Sequence, residues 1–254
     1  MTEKTGFRIT VIMTALLIAF VMMQGSALRV FAEDNTEAFA KYDTGTTALT
    51  FFRDTPGKYT NGETSTYSDP EGAEQTITYY TGIETDEYTE DSSVPWSGIR
   101  ESITTVAFNG KISPRSTANW FRRTTSLVSI DGIENLDTSN VTNMTHMFHN
   151  CSVQSLDVSG FDTSNVENME FAFAYLTNLT ELNVSGFNTS AVTNMRWMFG
   201  CDYKVKELDV SDFDTSKVTH MGDMFFRCES VESLDVSGFD QLREQCMISH
   251  VISA

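Results

Sequence analysis

Hydrophobic positions in the C-terminal half of the chain recur with a fixed period. Stretches starting at Val153, Leu179, Val205 and Val231 align at 26-residue spacing, and one starting at Leu127 joins them with one extra residue in its loop. A fainter rung begins at Ile103, Val106 and Phe108, with Trp120-Phe121 where later units carry Met-Phe. Within a unit two periods alternate. Leu208 and Val210 flank Asp209, the alternation of a short strand with Asp209 on its opposite face. Val218, Met221, Phe225 and Cys228 fall at i, i+3, i+7 and i+10, which predicts a short helix capped by Thr215 or Ser216. Gly160, Gly186 and Gly238, with Asp212 in the third unit, follow each strand and suit a sharp bend. One strand and one helical turn cannot bury both stripes alone, so the pattern predicts units stacked coil on coil.

The remaining segments divide by composition. Lys4 and Arg8 precede an apolar run from Ile9 to Met23, and small residues at −3 and −1, Val30 and Ala32, predict a secretory signal over residues 1–32. The run is shorter than the roughly 20 residues that span a bilayer. Residues 33–93 hold 14 acidic and three basic residues. They read as a small β-rich cap with strands at Ala48–Phe52 and Thr76–Tyr80 and a mobile loop at Lys58–Glu74. Residues 94–240 carry the repeats, and residues 241–254 form an atypical tail in which the next TSxVTNMxxMF does not arrive. That ending fits either an improvised cap or, the favoured expectation, truncation of a longer anchored protein. Between cap and repeats, Arg100, Lys111, Arg115, Arg122 and Arg123 are expected to pair with the acidic cap.

The motif LDVSGFDTSNV…NM…MF with Cys at the coil's end resembles the BspA-like leucine-rich-repeat surface proteins of 26-residue period. So does the entry stretch with Pro95-Trp96, ITTVAFNGKI and STANWF. The resemblance covers about residues 94–240. It implies an exported bacterial protein, adhesive or ligand-binding, located outside the cell or on its surface. The expected fold is thus α/β: a leucine-rich-repeat-like solenoid with a parallel sheet on one face and short helices on the other, plus the small β-rich N-terminal cap.

Charge narrows the partners. With 35 acidic against 17 basic residues, the formal charge is −18. Such a surface repels phosphate, which argues against nucleic acid and against anionic membranes once the signal is removed. The expected partner is a protein on a host or bacterial surface, met by outward residues of the sheet: Asp157, Glu181, Asn183, Lys206, Glu207, Asp209, Glu232 and Asp235, with Gln154 and Thr180 beside them. The aromatics Phe171, Trp197 and Phe226 could anchor a partner through apolar contact, but packing between neighbouring coils is the favoured expectation. A structural spacer with no ligand site of its own is the alternative. Self-association through an uncapped C-terminal edge is a further expectation.

Candidate chemistry is sparse. His146, His149 and Cys151 have metal-ligand identities, but the equivalents of His146 are Phe171, Trp197 and Asp223. The Asp157, Asn183, Asp209, Asp235 column and the Asp162, Asn188, Asp214, Asp240 column offer oxygens suited to calcium. Turn capping by the same side chains is the favoured reading. Cys151, Cys201 and Cys228 read as buried thiols, with a Cys201–Cys228 disulfide as the less favoured option. No Gly-x-Ser-x-Gly, phosphate loop or His-Glu-x-x-His is present, so neither catalysis nor a cofactor is expected.

Overall fold

A computed structural model describes residues 36–239. The signal expected at 1–32 and the tail expected at 241–254 lie outside the described residues, as do Asp240 and Cys246.

Four strands build the N-terminal part: β1 (Glu37–Asp43), β2 (Ala48–Asp54), β3 (Thr64–Ser68) and β4 (Glu74–Tyr80). β1 pairs antiparallel with both β2 and β4, and β3 pairs antiparallel with β4. β3 falls inside the Lys58–Glu74 segment expected as a loop. Its five residues are exposed on both faces, so no hydrophobic alternation announced it. β2 then pairs in parallel with β5 (Thr105–Asn109), and β5 with β6 (Ser129–Asp131). The result is one six-stranded mixed sheet in the order β3-β4-β1-β2-β5-β6. Its hydrogen bonding runs unbroken from cap to repeats. Beneath it Phe51 stacks on Phe108 at 4.7 Å and on Trp120 at 5.1 Å, with Trp96 edge-on at 5.4 Å. The Trp96 indole Nε1 donates to the Trp120 carbonyl at 2.7 Å.

Later repeats lie side by side in parallel. β7 (Ser155–Asp157) pairs with β8 (Glu181–Asn183), setting Leu156 opposite Leu182. Single parallel bridges continue the register through Asn143, Asn168, Asn194 and His220, and from Glu207 to Ser233. Leu156, Leu182 and Leu208 are buried. Phe148, Phe173, Phe199 and Phe225 form an inner column with ring centroids 5.7 to 5.9 Å apart.

The expected face of short helices does not exist. Among the described residues there is no α-helix, only three short 3-10 turns (Asp91–Ser93, Ser97–Ser102 and Ile133–Asn135). The α/β leucine-rich-repeat-like assignment is therefore corrected to a mostly β fold. The backbone explains why. Each repeat places two residues in the left-handed region, four apart: Asn119 and Arg123, His146 and Asn150, Phe171 and Tyr175, Trp197 and Cys201, Asp223 and Arg227. For such residues this conformation costs about 1–2 kcal/mol each and cannot continue a right-handed helix. In place of i to i−4 bonding, the amides of Met144, His146, Phe148 and Asn150 donate to carbonyls of Asn168, Glu170, Ala172 and Ala174 in the next repeat, at 2.8 to 2.9 Å. The amides of Met147, His149 and Cys151 bond three residues back. Linked turns thus present Met and Phe inward at nearly helical spacing, which is why the sequence pattern reads as a helix.

Candidate functional site

The strand side carries the outward residues named from sequence. Because β7 and β8 pair in register, Asp157 lies opposite Asn183 and Ser155 opposite Glu181. Asp157, Thr180, Glu181, Asn183, Lys206 and Glu207 share one shallow open groove across three repeats. Asp209, Glu232 and Asp235 are also exposed but lie outside that groove.

The same side chains cap their own turns. Asp157 Oδ1 accepts from the Ser159 amide at 3.0 Å and the Ser159 hydroxyl at 2.7 Å, and Asp209 does the same with Ser211 at 3.1 and 2.7 Å. Asn183 and Asp235 accept from the amides of Ser185 and Ser237. The serine hydroxyl bonds, then the amide bonds, hold the Asp157 and Asp209 carboxyls below the usual carboxylate range. A second capping column follows at Asp162, Asn188 and Asp214, each accepting from the amide two residues on. Among the described residues no group of three or more His, Cys, Asp or Glu is arranged to hold a metal.

The turn side carries a ladder of half-buried rings. His146 stacks on Phe171 at 4.9 Å and Phe171 on Trp197 at 5.5 Å, while Phe226 tilts against Trp197 at 4.8 Å. His146, Phe171 and Trp197 turn their ring faces toward one another, and Phe226 closes the ladder tilted against Trp197, so the three aromatics pack between coils. Space for the indole comes from Gly200, where a Cβ would sit 2.5 Å from the Trp197 ring.

Of the basic residues of 94–129, Arg100 and Arg122 pair with the cap through Asp91. Arg100, 5% exposed, bonds the Asp91 carboxylate and backbone and the Asn119 carbonyl. Arg122 approaches the same Asp91 carboxylate at 3.5 Å. Lys111 instead pairs with Asp137 of the repeats at 2.8 Å, and Arg123 lies 4.0 Å from Glu101.

One position departs from the reading of the cysteines. Cys151, Cys201 and Cys228 are buried free thiols, so no Cys201–Cys228 bridge is present. Cys201 is one of the left-handed residues, in register with Tyr175 and Arg227. The core column running through Cys151, Leu176 and Cys228 is completed by Asp202, 1% exposed. Asp202 Oδ1 accepts from the Leu176 amide at 2.8 Å, whereas Oδ2 is buried without a partner. Burial raises the Asp202 pKa well above its ordinary value. Counting 26 residues forward from Leu176, rather than matching Cys to Cys, locates this carboxyl in the sequence.

Among the described residues no helix is long and apolar enough to cross a membrane. No curated protein and no solved structure matches the chain. The stacked repeats themselves, residues 115–239 and just under half of the chain, match the family model described as "Mycoplasma protein of unknown function, DUF285", a repeat family associated with bacterial surface proteins.

Proposed function

We propose that the protein is an exported bacterial surface or secreted repeat protein whose strand side presents a fixed array of side chains to a protein partner, in the adhesin-like manner of BspA-type proteins. The carrying observation is the groove in which Asp157, Glu181, Asn183, Lys206 and Glu207 are gathered from three repeats. Register fixes their spacing, so a partner meets side chains on a preorganised frame and little ordering entropy opposes binding. Three carboxylates against one ammonium in that groove favour a basic protein segment and a salt-sensitive association rate. No catalytic role and no cofactor are part of this reading. The test is capture of basic host-matrix and bacterial-surface proteins on immobilised protein, compared with a Glu181→Lys, Glu207→Lys variant. Loss of capture in the variant and at high salt supports the reading. Capture that ignores both changes overturns it.

The spacer alternative draws on a different observation. Asp157, Asp209 and Asp235 are engaged in capping their own turns, a duty any repeat of this type requires whether or not it binds anything. A spacer retains no partner in the same assay at any ionic strength.

A further inference from the structure

In a chain of strongly acidic composition, the junction between the Asp91–Arg123 region and the repeats concentrates positive charge. Arg122 and His149 occupy the same column of successive repeats, the one continued by Ala174, Gly200 and Phe226. Their neighbours are joined by backbone bonds: the amides of Asn119, Phe121 and Arg123 donate to the carbonyls of Thr145, Met147 and His149 at 2.8 to 2.9 Å. His146 lies 5.1 Å from His149, ring centre to ring centre. Phe171 closes over both, at 4.9 and 5.6 Å, and Tyr175 lies 5.2 Å from His149. His149 Nδ1 is buried with no partner beyond its own backbone, and Arg122 Nε is buried with none. The charged groups facing the pair are Arg122, Arg123 and Asp91. Asp91 is already engaged by Arg100 and Arg122.

We propose that His146 and His149 form an acid-sensitive latch: in mild acid they take up protons beside Arg122 and Arg123, and the bonds holding residues 119–123 to residues 145–149 open. Two imidazolium ions there would lack a free carboxylate, and the apolar walls of Phe171 and Tyr175 leave their buried sides without hydration. Burial first, then the Arg122 guanidinium, brings both rings down to about 4 from 6.5. Between those values the opened state binds more protons than the closed one, so opening becomes easier as pH falls. Neutral imidazoles at neutral pH leave the junction closed.

The experiment is residue-resolved hydrogen exchange, corrected for intrinsic rates, at about pH 7 and about pH 4.5, on the wild type and on a His146→Phe, His149→Gln variant. Phe already occupies the first position's equivalent in the next repeat. The wild type is expected to lose protection at Asn119, Phe121 and Arg123 by about tenfold or more in acid. Protection at Met195 and Phe199, three repeats beyond the junction donors and bonded to His220 and Met224 of the following repeat, should change much less. The variant should show less than about a twofold loss at the junction, with His149→Gln alone giving an intermediate value should the double variant fail to fold. Equal loss in wild type and variant, or uniform loss across all repeats, overturns the latch.

Discussion

Gly186 and Ser159 stand in adjacent repeats so close that a Cβ added to Gly186 would lie 1.9 Å from the Ser159 carbonyl oxygen. The equivalent Gly160 and Gly238 have no such contact: nothing lies within 4 Å of a Cβ at Gly160, and the closest atom at Gly238 is 3.6 Å away. The third repeat carries Asp212 there. The glycine column thus contains one obligatory member. Replacing Gly186 by Ala forces backbone apart and is expected to cost about 1–3 kcal/mol or more. Replacing Gly160 by Ala should change stability by less than about 0.5 kcal/mol. Denaturant melts of the two variants check this, and equal effects would count against the close approach.

Asp202→Asn is expected to stabilise the protein at neutral pH. Asn keeps an acceptor for the Leu176 amide but carries no ionisable group. The folded state raises the Asp202 pKa above its ordinary 3.8, so it binds more protons than the unfolded state, and the penalty grows as pH rises past that value. Each pKa unit of elevation is worth about 1.4 kcal/mol. The advantage of Asn should therefore shrink toward acid pH. A melting-temperature difference that does not vary between about pH 4 and pH 7 would show that the carboxyl is not the cause.

Leu208→Ala removes a buried side chain from the column it shares with Leu156 and Leu182. The expected loss is about 2–5 kcal/mol. A melt indistinguishable from the wild type would refute its burial.

Gly200→Ala places a methyl group against the Trp197 indole and should displace that ring from its stack between Phe171 and Phe226. Trp96 and Trp120 are fully buried in the cap core, so a shift in emission on this substitution reports the Trp197 environment. Unchanged emission together with an unchanged melting temperature would show that the ring does not need the space.

Much of this was readable in the chain. Val, Leu, Met and Phe recur at 26-residue intervals because each must find its counterpart one repeat away, and that demand writes itself into composition. The cap strands β2 and β4 were legible from short runs rich in Thr, Phe, Ile and Tyr rather than from any repeat. β1 and β3 were not expected: β1 buries three consecutive residues, and a strand exposed on both faces, like β3, needs no alternation. The groove residues could be named from sequence because exposed strand positions alternate with buried ones. Asp202 was hidden by a one-residue offset between the cysteines.

The sequence by itself determined the period, which side chains turn inward and which carboxylates cap turns, because those properties depend on spacing and side-chain chemistry alone. Tertiary structure decided whether the Met-Phe segments became helices. A helix satisfies its amides within one segment, whereas these amides bond the neighbouring repeat, and two left-handed residues per repeat aim them there. That choice depends on having a neighbour alongside, and a local pattern of hydrophobic residues contains no record of it.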